Sequence, residues 1–173
     1  MAAYRAIVVV EYDRAWPLQF EKIKARLEDL LQGMVVEIAH VGSTAVPGLC
    51  AKPKIDIDIV LDQETLIPEA MVRLQQAGYT SHGNKYNDGM WAFTLGRGSF
   101  GERVYLCGPG NETHCKRLVF RDHLRNHPKD AAAYAVLKKG LAAETDHDWE
   151  LYTGSKGPFV AEIVAKASRL SGS

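Results

Sequence analysis

Asp56 and Asp58 are the residues whose type and spacing most directly point to chemistry. They interrupt an apolar run, Ile55-Asp-Ile-Asp-Ile59, whose alternation is that of a half-buried strand. Residues two apart in a strand share a face and lie roughly 6.6 Å apart along it. Two carboxylates placed so repel each other, and a divalent cation between them removes the penalty. Magnesium is held by one or two carboxylates together with phosphate oxygens. Thirteen residues before Asp56, Gly42-Ser43 forms a turn whose backbone N–H groups and hydroxyl suit a phosphate. Lys52 and Lys54 add positive charge just ahead of the strand. The combination predicts metal-assisted handling of a nucleoside triphosphate. Asp56 and Asp58 would hold Mg2+ or Mn2+, and Gly42, Ser43 and Lys52 the phosphates. Two plainer readings compete: the Asp residues simply solvate a strand face, or Ser43 or Thr44 caps a helix. Asp is poorly suited to strands, which favours chemistry for the pair.

The elements that must position these groups are readable from periodicity. Ile7 to Val10 is a candidate edge strand. Asp13 and Pro17 open a helix carrying Leu18, Phe20, Ile23, Leu27, Leu30 and Leu31, which stops at Gly33. Strands are expected at 35–41, 55–61, 79–82, 90–95 and 103–107, with a helix at 64–77. From Cys115 the pattern turns helical, at about 115–126, 129–143 and 148–168, with Pro128 separating the first two. The fold class is α+β: a mixed β-sheet with packed helices and a helical C-terminal part. One domain is expected over 1–173, sheet-bearing to about 110 and helical from about 111 to 173.

Lys plus Arg and Asp plus Glu number 21 each, so the formal net charge is zero. That argues against a general basic field for a long nucleic acid, but not against a small phosphate ligand held by a local cluster. Three cysteines form no even-numbered disulfide framework, and a reducing, cytoplasmic setting is the expectation. No apolar run reaches the ~18 residues of a membrane span.

His40-Val-Gly-Ser-Thr-Ala-Val-Pro-Gly-Leu49, with Lys52-Pro53 and Ile55-Asp-Ile57, closely resembles the GrpB family. Phe120-Arg-Asp-His-Leu-Arg125 matches that family's Phe-Arg-Asp-Tyr-Leu-Arg signature. His127-Pro128, Tyr134, Lys138, Leu141, Tyr152 and Lys156 continue the likeness, which runs from about Val10 to Ala165. The resemblance implies a fold similar to the nucleotidyltransferase superfamily, whose mark is a Gly-Ser turn before an acid-x-acid strand. Relatives occur alone or joined to dephospho-CoA kinase. By that resemblance the reaction is magnesium-dependent nucleotidyl transfer to an unidentified acceptor, with pyrophosphate leaving. The alternative is a nucleotide-binding accessory module, linked to coenzyme A metabolism. The sequence departs from the pattern at Tyr105-Leu-Cys107, where the family often carries a His-Leu-His-like strand. Nucleotidyltransferases place a third carboxylate on such a strand. Here the nearby acid is Glu102, at the strand's start.

Arg121 and Arg125 share a helix face and would clamp a phosphate, with Lys52 or Arg121 offsetting charge in the transition state. Their plainer role is a solvated face or a pair with Asp122. Three other patterns carry less. Gly96-Arg-Gly-Ser-Phe-Gly101 precedes a strand rather than a helix and reads as a hairpin loop. His123 and His127 have the spacing of a zinc-binding helix but lack the adjoining Glu and a third ligand. Cys107 and His114-Cys115 are read as packing and loop residues.

Overall fold

The computed structural model describes residues 7–96, 101–144 and 149–172. Helix α1 (Trp16–Leu30) leads into strand β1 (Val35–Val41), and β2 (Lys54–Leu61) follows. Helix α2 (Ile67–Gln76), β3 (Thr80–Gly83), β4 (Trp91–Leu95) and β5 (Gly101–Cys107) complete the sheet-bearing part. Four helices close the chain: α3 (Glu112–Asn126), α4 (Pro128–Glu144), α5 (Trp149–Ser155) and α6 (Gly157–Ser171). The sheet order is β1-β2-β5-β4-β3, mixed as expected, with β2 and β5 parallel and the other pairs antiparallel.

The alternation in β2 sorts its side chains onto two unlike faces. Ile55, Ile57, Ile59 and Leu61 join Phe93, Val104 and Leu106 in the main core, beneath Phe20 and Leu27 of α1 and Ala70 and Leu74 of α2. Asp56 and Asp58 fall on the opposite face, beside Arg103 and Tyr105 of β5. A smaller core fastens the helices there. Val46 and Leu49, from the connection between β1 and β2, pack with Leu124 and Tyr134, against Phe120 and Phe159. Asp130 of α4 pairs with His123 of α3 and Lys166 of α6 and locks the three helices together.

Four local expectations are revised. Ile7–Val10 forms no strand; only Val10 makes a bridge, to Ala51. The segment Glu64–Leu66 is a 3-10 turn before α2, whose first turn takes Pro68. Helix α3 begins three residues early because the Asn111 side chain accepts the His114 N–H and caps it. The single helix expected over 148–168 is two, α5 and α6, since Pro158 cannot donate a mid-helix hydrogen bond and starts a new helix instead. Among the described residues, no helix is long and apolar enough to cross a membrane.

Candidate functional site

The site grows out of the connection between β1 and β2. Gly42 leaves β1 at φ +76°, a region L side chains rarely adopt. Its Cα packs so tightly on Asp56 that an added Cβ would lie 2.7 Å from Oδ2. Ser43–Ala45 then makes one 3-10 turn. His40 braces it: Nε2 is 2.9 Å from Thr44 Oγ1, and the ring stacks on Phe20 with centroids 4.8 Å apart. Burial, with Arg125 and Arg121 close by, pushes the His40 imidazole down to about 4, so the ring is neutral. The apolar half of the same motif, Val46 and Leu49, is the peg on which the helices dock. One sequence motif therefore both shapes the turn and attaches the opposite wall.

Asp56 lies at the floor of a cavity of about 100 Å³ between the sheet and the helices. Five basic side chains line it: Lys52, Lys54, Arg103, Lys138 and Lys156. Ser43 and Thr44 come from the turn, and Tyr152 and Thr153 from α5. Arg103 is there because β2 and β5 run parallel in register, with Asp56 directly opposite it. Lys138 is buried and donates to the Cys50 carbonyl. The ammonium groups of Lys52 and Lys156 stand 4.0 and 4.5 Å from the Tyr152 ring centroid.

Crowding so many cations into a half-dry space is costly, and their acidities register it. Burial, then repulsion from Lys156 and Arg103, lowers Lys52 to about 6. Burial, aided by Lys156, lowers Lys138 to about 7. Lys156 is lowered by burial as well. Burial raises the Asp56 carboxyl against the pull of Arg103 and Arg117. An anionic ligand would relieve the lysines together.

Asp58 shares the strand face but not the cavity. It is fully buried under α3, where Oδ1 accepts from Arg117 Nη1 at 2.7 Å and Oδ2 lies 3.0 Å from His114 Nδ1. That bond raises the His114 pKa. The Arg117 guanidinium carbon stands over the Tyr105 ring, 4.1 Å from its centroid. The expected pair of carboxylates opening together into one cleft is thus not formed: one faces the cavity, and the other is consumed by an internal ion pair. Glu102 does not complete the set. It faces the other side of the sheet, bonded to Arg26 and to the Tyr79 hydroxyl.

Of the residues singled out from sequence, Gly42, Ser43, Lys52 and Asp56 come together. Arg121 and Arg125 do not join them. Arg121 donates to the His40 carbonyl and to Asp122, and Arg125 to the Ala45 carbonyl. Both line a separate groove with Phe20 and His40. The helical wall comes instead from Lys138, Tyr152 and Lys156. Arg103, Arg117 and His114 were not legible, because each reaches its acid through strand pairing or helix docking. His123 and His127 stack on each other, and His123 is committed to Asp130. Among the described residues, no cluster of three or more His, Cys, Asp or Glu is placed to hold a metal. The interior of the Gly96–Gly101 loop lies outside the described residues, and the strands it joins pair antiparallel.

A magnesium ion is compatible with Asp56 alone. Its Oδ1 is buried and accepts no hydrogen bond among the described residues. One carboxylate oxygen plus ligand phosphates suffices for this ion. A bridge between Asp56 and Asp58 does not fit, since Asp58 is fully buried outside the cavity and paired with Arg117 and His114.

The chain is similar to known proteins along nearly its whole length. The family described as GrpB protein matches residues 6–166. UPF0157 protein BH1888 of Halalkalibacterium halodurans is 33% identical, over 94% of this chain and 83% of that protein. UPF0157 protein YqkA of Bacillus subtilis is 31% identical over 95% of this chain, which spans only 48% of that relative's length. A dephospho-CoA kinase of Mycolicibacterium paratuberculosis is 26% identical over 92% of this chain and 45% of its own. Among solved structures, the conserved protein GrpB from Enterococcus faecalis superposes with a TM-score of 0.86 at 28% identity, covering 96% of this chain and all of that one. Cid1 poly(U) polymerase, solved with MgGTP bound, superposes with a TM-score of 0.52 at 12% identity, over 78% of this chain and 44% of that chain. That likeness is one of fold, and it places the sheet and its helices in the nucleotidyltransferase-like class. With a family match across residues 6–166 and relatives above 30% identity, the chain belongs to the GrpB family.

Proposed function

We propose that this protein binds a nucleoside polyphosphate on its nucleotidyltransferase-like fold, gripping the phosphates chiefly with protein cations. The observation that carries the reading is the composition of the cavity: five basic side chains and one carboxylate around the Gly42-Ser43 turn. Clustered Lys and Arg in a partly desolvated pocket bind phosphate oxygens by charge-assisted hydrogen bonds. A triphosphate brings enough negative charge to hold all five side chains in their ionised forms. Lys138 and Lys156 come from the helices and Lys52, Lys54 and Arg103 from the sheet-bearing part, so the ligand would clamp the two layers together.

Nucleotidyl transfer is the second reading, favoured by the unbonded Asp56 Oδ1. In it Asp56 would hold magnesium, which would supply Lewis-acid polarisation of phosphoryl oxygens. Lys52 and Arg103 then offset negative charge on the phosphates, and Gly42 lets the turn approach them closely. A tie to coenzyme A rests on the name of the mycobacterial relative and makes dephospho-CoA a second probe.

Calorimetric titration with ATP and with sodium tripolyphosphate, each with and without Mg2+, tests the reading. Binding without metal, lost in Lys138→Ala and Lys156→Ala, is expected. No binding of either probe would overturn it. Incubation with α-labelled triphosphate, Mg2+ and cell extract separates the two readings, since only transfer leaves label on an acceptor.

A further inference from the structure

The cation cavity does not end at Arg103. The same side chain lines a second, wider groove of about 300 Å³ on the far side of β5. Sheet register explains the continuity. Arg103 sits opposite Asp56 on one side and Thr94 on the other, and Tyr105 sits opposite Ala92. These residues all belong to one face of the sheet, so the groove is the sideways extension of the cavity floor across β5 and β4.

The lining differs in character from the cavity. Ala92 leaves room on the floor, Met90 and Tyr105 give apolar surface, and Tyr86 stands at the margin with 73% of its surface exposed. Arg117 forms one wall, its planar guanidinium held between Asp58 and the Tyr105 ring. A guanidinium held in this way is a stacking surface for a planar heteroaromatic group. The pair Asp58–Arg117 acquires a purpose on this account: the buried acid holds the guanidinium in place.

The geometry points to a base subsite: the groove receives the nucleobase of the nucleotide whose phosphates occupy the cation cavity, stacked against Arg117 and Tyr86. This rests on the reading of the cavity as a polyphosphate site and goes beyond it by requiring a nucleoside. Arg103, common to both spaces, marks where the phosphates give way to the sugar and base.

The test compares nucleoside triphosphates (ATP, GTP, CTP and UTP) with sodium tripolyphosphate by calorimetric titration. Wild-type protein should bind at least one nucleotide about tenfold more tightly than tripolyphosphate, the scale of one base stacked on side chains. Tyr86→Ala, at an exposed position, and Ala92→Leu, which fills the floor, should remove that advantage and leave tripolyphosphate affinity unchanged. Circular dichroism confirms that each variant folds, and Tyr86→Ala stands as the readout if Ala92→Leu does not. Equal affinity of nucleotides and tripolyphosphate for the wild type, or a nucleotide advantage that survives Tyr86→Ala, would overturn the base subsite while leaving the phosphate site intact. Failure of every probe to bind the wild type would overturn both.

Discussion

Gly42 and Asp56 touch: the α-carbon of one rests on the carboxylate of the other, with no room for even a methyl group between them. The contact fixes where the turn sits over the acid and thereby sets the depth of the cavity. Gly42→Ala faces two penalties, a positive φ and a 2.7 Å collision with Asp56 Oδ2. The backbone term alone is about 1–3 kcal/mol, since φ +76° with ψ −173° is a region essentially confined to glycine. The expected result is a lower Tm together with weakened tripolyphosphate binding, because the turn must lift away from the acid. Combining Gly42→Ala with Asp56→Ala removes the carboxylate the methyl strikes, so the double mutant should lose less stability than the two single losses added together. Additive losses would mean the turn and the acid are mechanically independent.

Asp58→Asn should destabilise the protein. Two acids on a strand invite the opposite expectation, since neutralising one relieves repulsion. The structure reverses the sign, because Asp58 is paired to Arg117 and His114 beneath α3. Breaking a buried ion pair by removing one partner costs about 3–5 kcal/mol. The His114 contribution also has a pH signature. Its folded pKa is raised, chiefly by the bond to Asp58, so its stabilisation is present at low pH and is lost as pH rises through that value. Chemical denaturation of wild type and Asp58→Asn across the range in which imidazole titrates should show this pH-dependent component reduced in the variant to what Glu37, 3.5 Å from His114 Nε2, still supplies. A stability equal to wild type would remove the internal ion pair from the account.

The difference between Asp56 and Asp58 marks how far the sequence could be read. Period-2 alternation placed both acids on one face, and the helical spacing of α1 and α3 and the turn at Gly42 were visible from local pattern alone. The fate of each acid was not local. Asp58 meets partners 56 and 59 residues away, on a helix docked by Val46, Leu49 and Leu124. Arg103 reaches Asp56 only because β5 inserts beside β2 in parallel register, and the same register turns Glu102 to the opposite face. Arg121 and Arg125 share one helix face, as their spacing predicts. Their bonds to the carbonyls of His40 and Ala45 depend on how α3 crosses the turn, which spacing within α3 cannot reveal.

Those two arginines are accordingly expected to act on the turn rather than on the ligand's phosphates. Arg125→Ala removes a hydrogen bond to Ala45 and should cost about 1 kcal/mol of stability by chemical denaturation. Arg121→Ala removes one of the positive charges that, after burial, hold His40 near 4. The His40 imidazole should then titrate at higher pH, as read by NMR, while tripolyphosphate affinity stays within about threefold of wild type. A loss of affinity tenfold or greater with no change at His40 would return Arg121 to the phosphate site.

Lys52 and Lys138 make the ligand-free protein sensitive to pH in a direction opposite to that of a lysine paired with an acid. Their folded pKa values, about 6 and about 7, lie far below the roughly 10.4 of an unfolded lysine. Between those limits the unfolded chain binds more protons than the folded one, so stability from these groups rises with pH. The Tm of the free protein should therefore gain from this term between pH 6 and 9, and Lys138→Met should gain less. Ligand binding has the reverse sign. A polyphosphate favours the charged lysines, so at pH 8.5, where the phosphates are already ionised, binding must take up protons from solution. Titrations in buffers of different ionisation heat measure that uptake directly. Wild type should take up protons at pH 8.5 and lose affinity as the pH is raised toward 9, whereas Lys138→Met should show both a weaker grip and a smaller uptake. Binding that releases no heat difference between buffers would show that the lysines are already charged in the free cavity, and would remove the electrostatic tension on which the anion site depends.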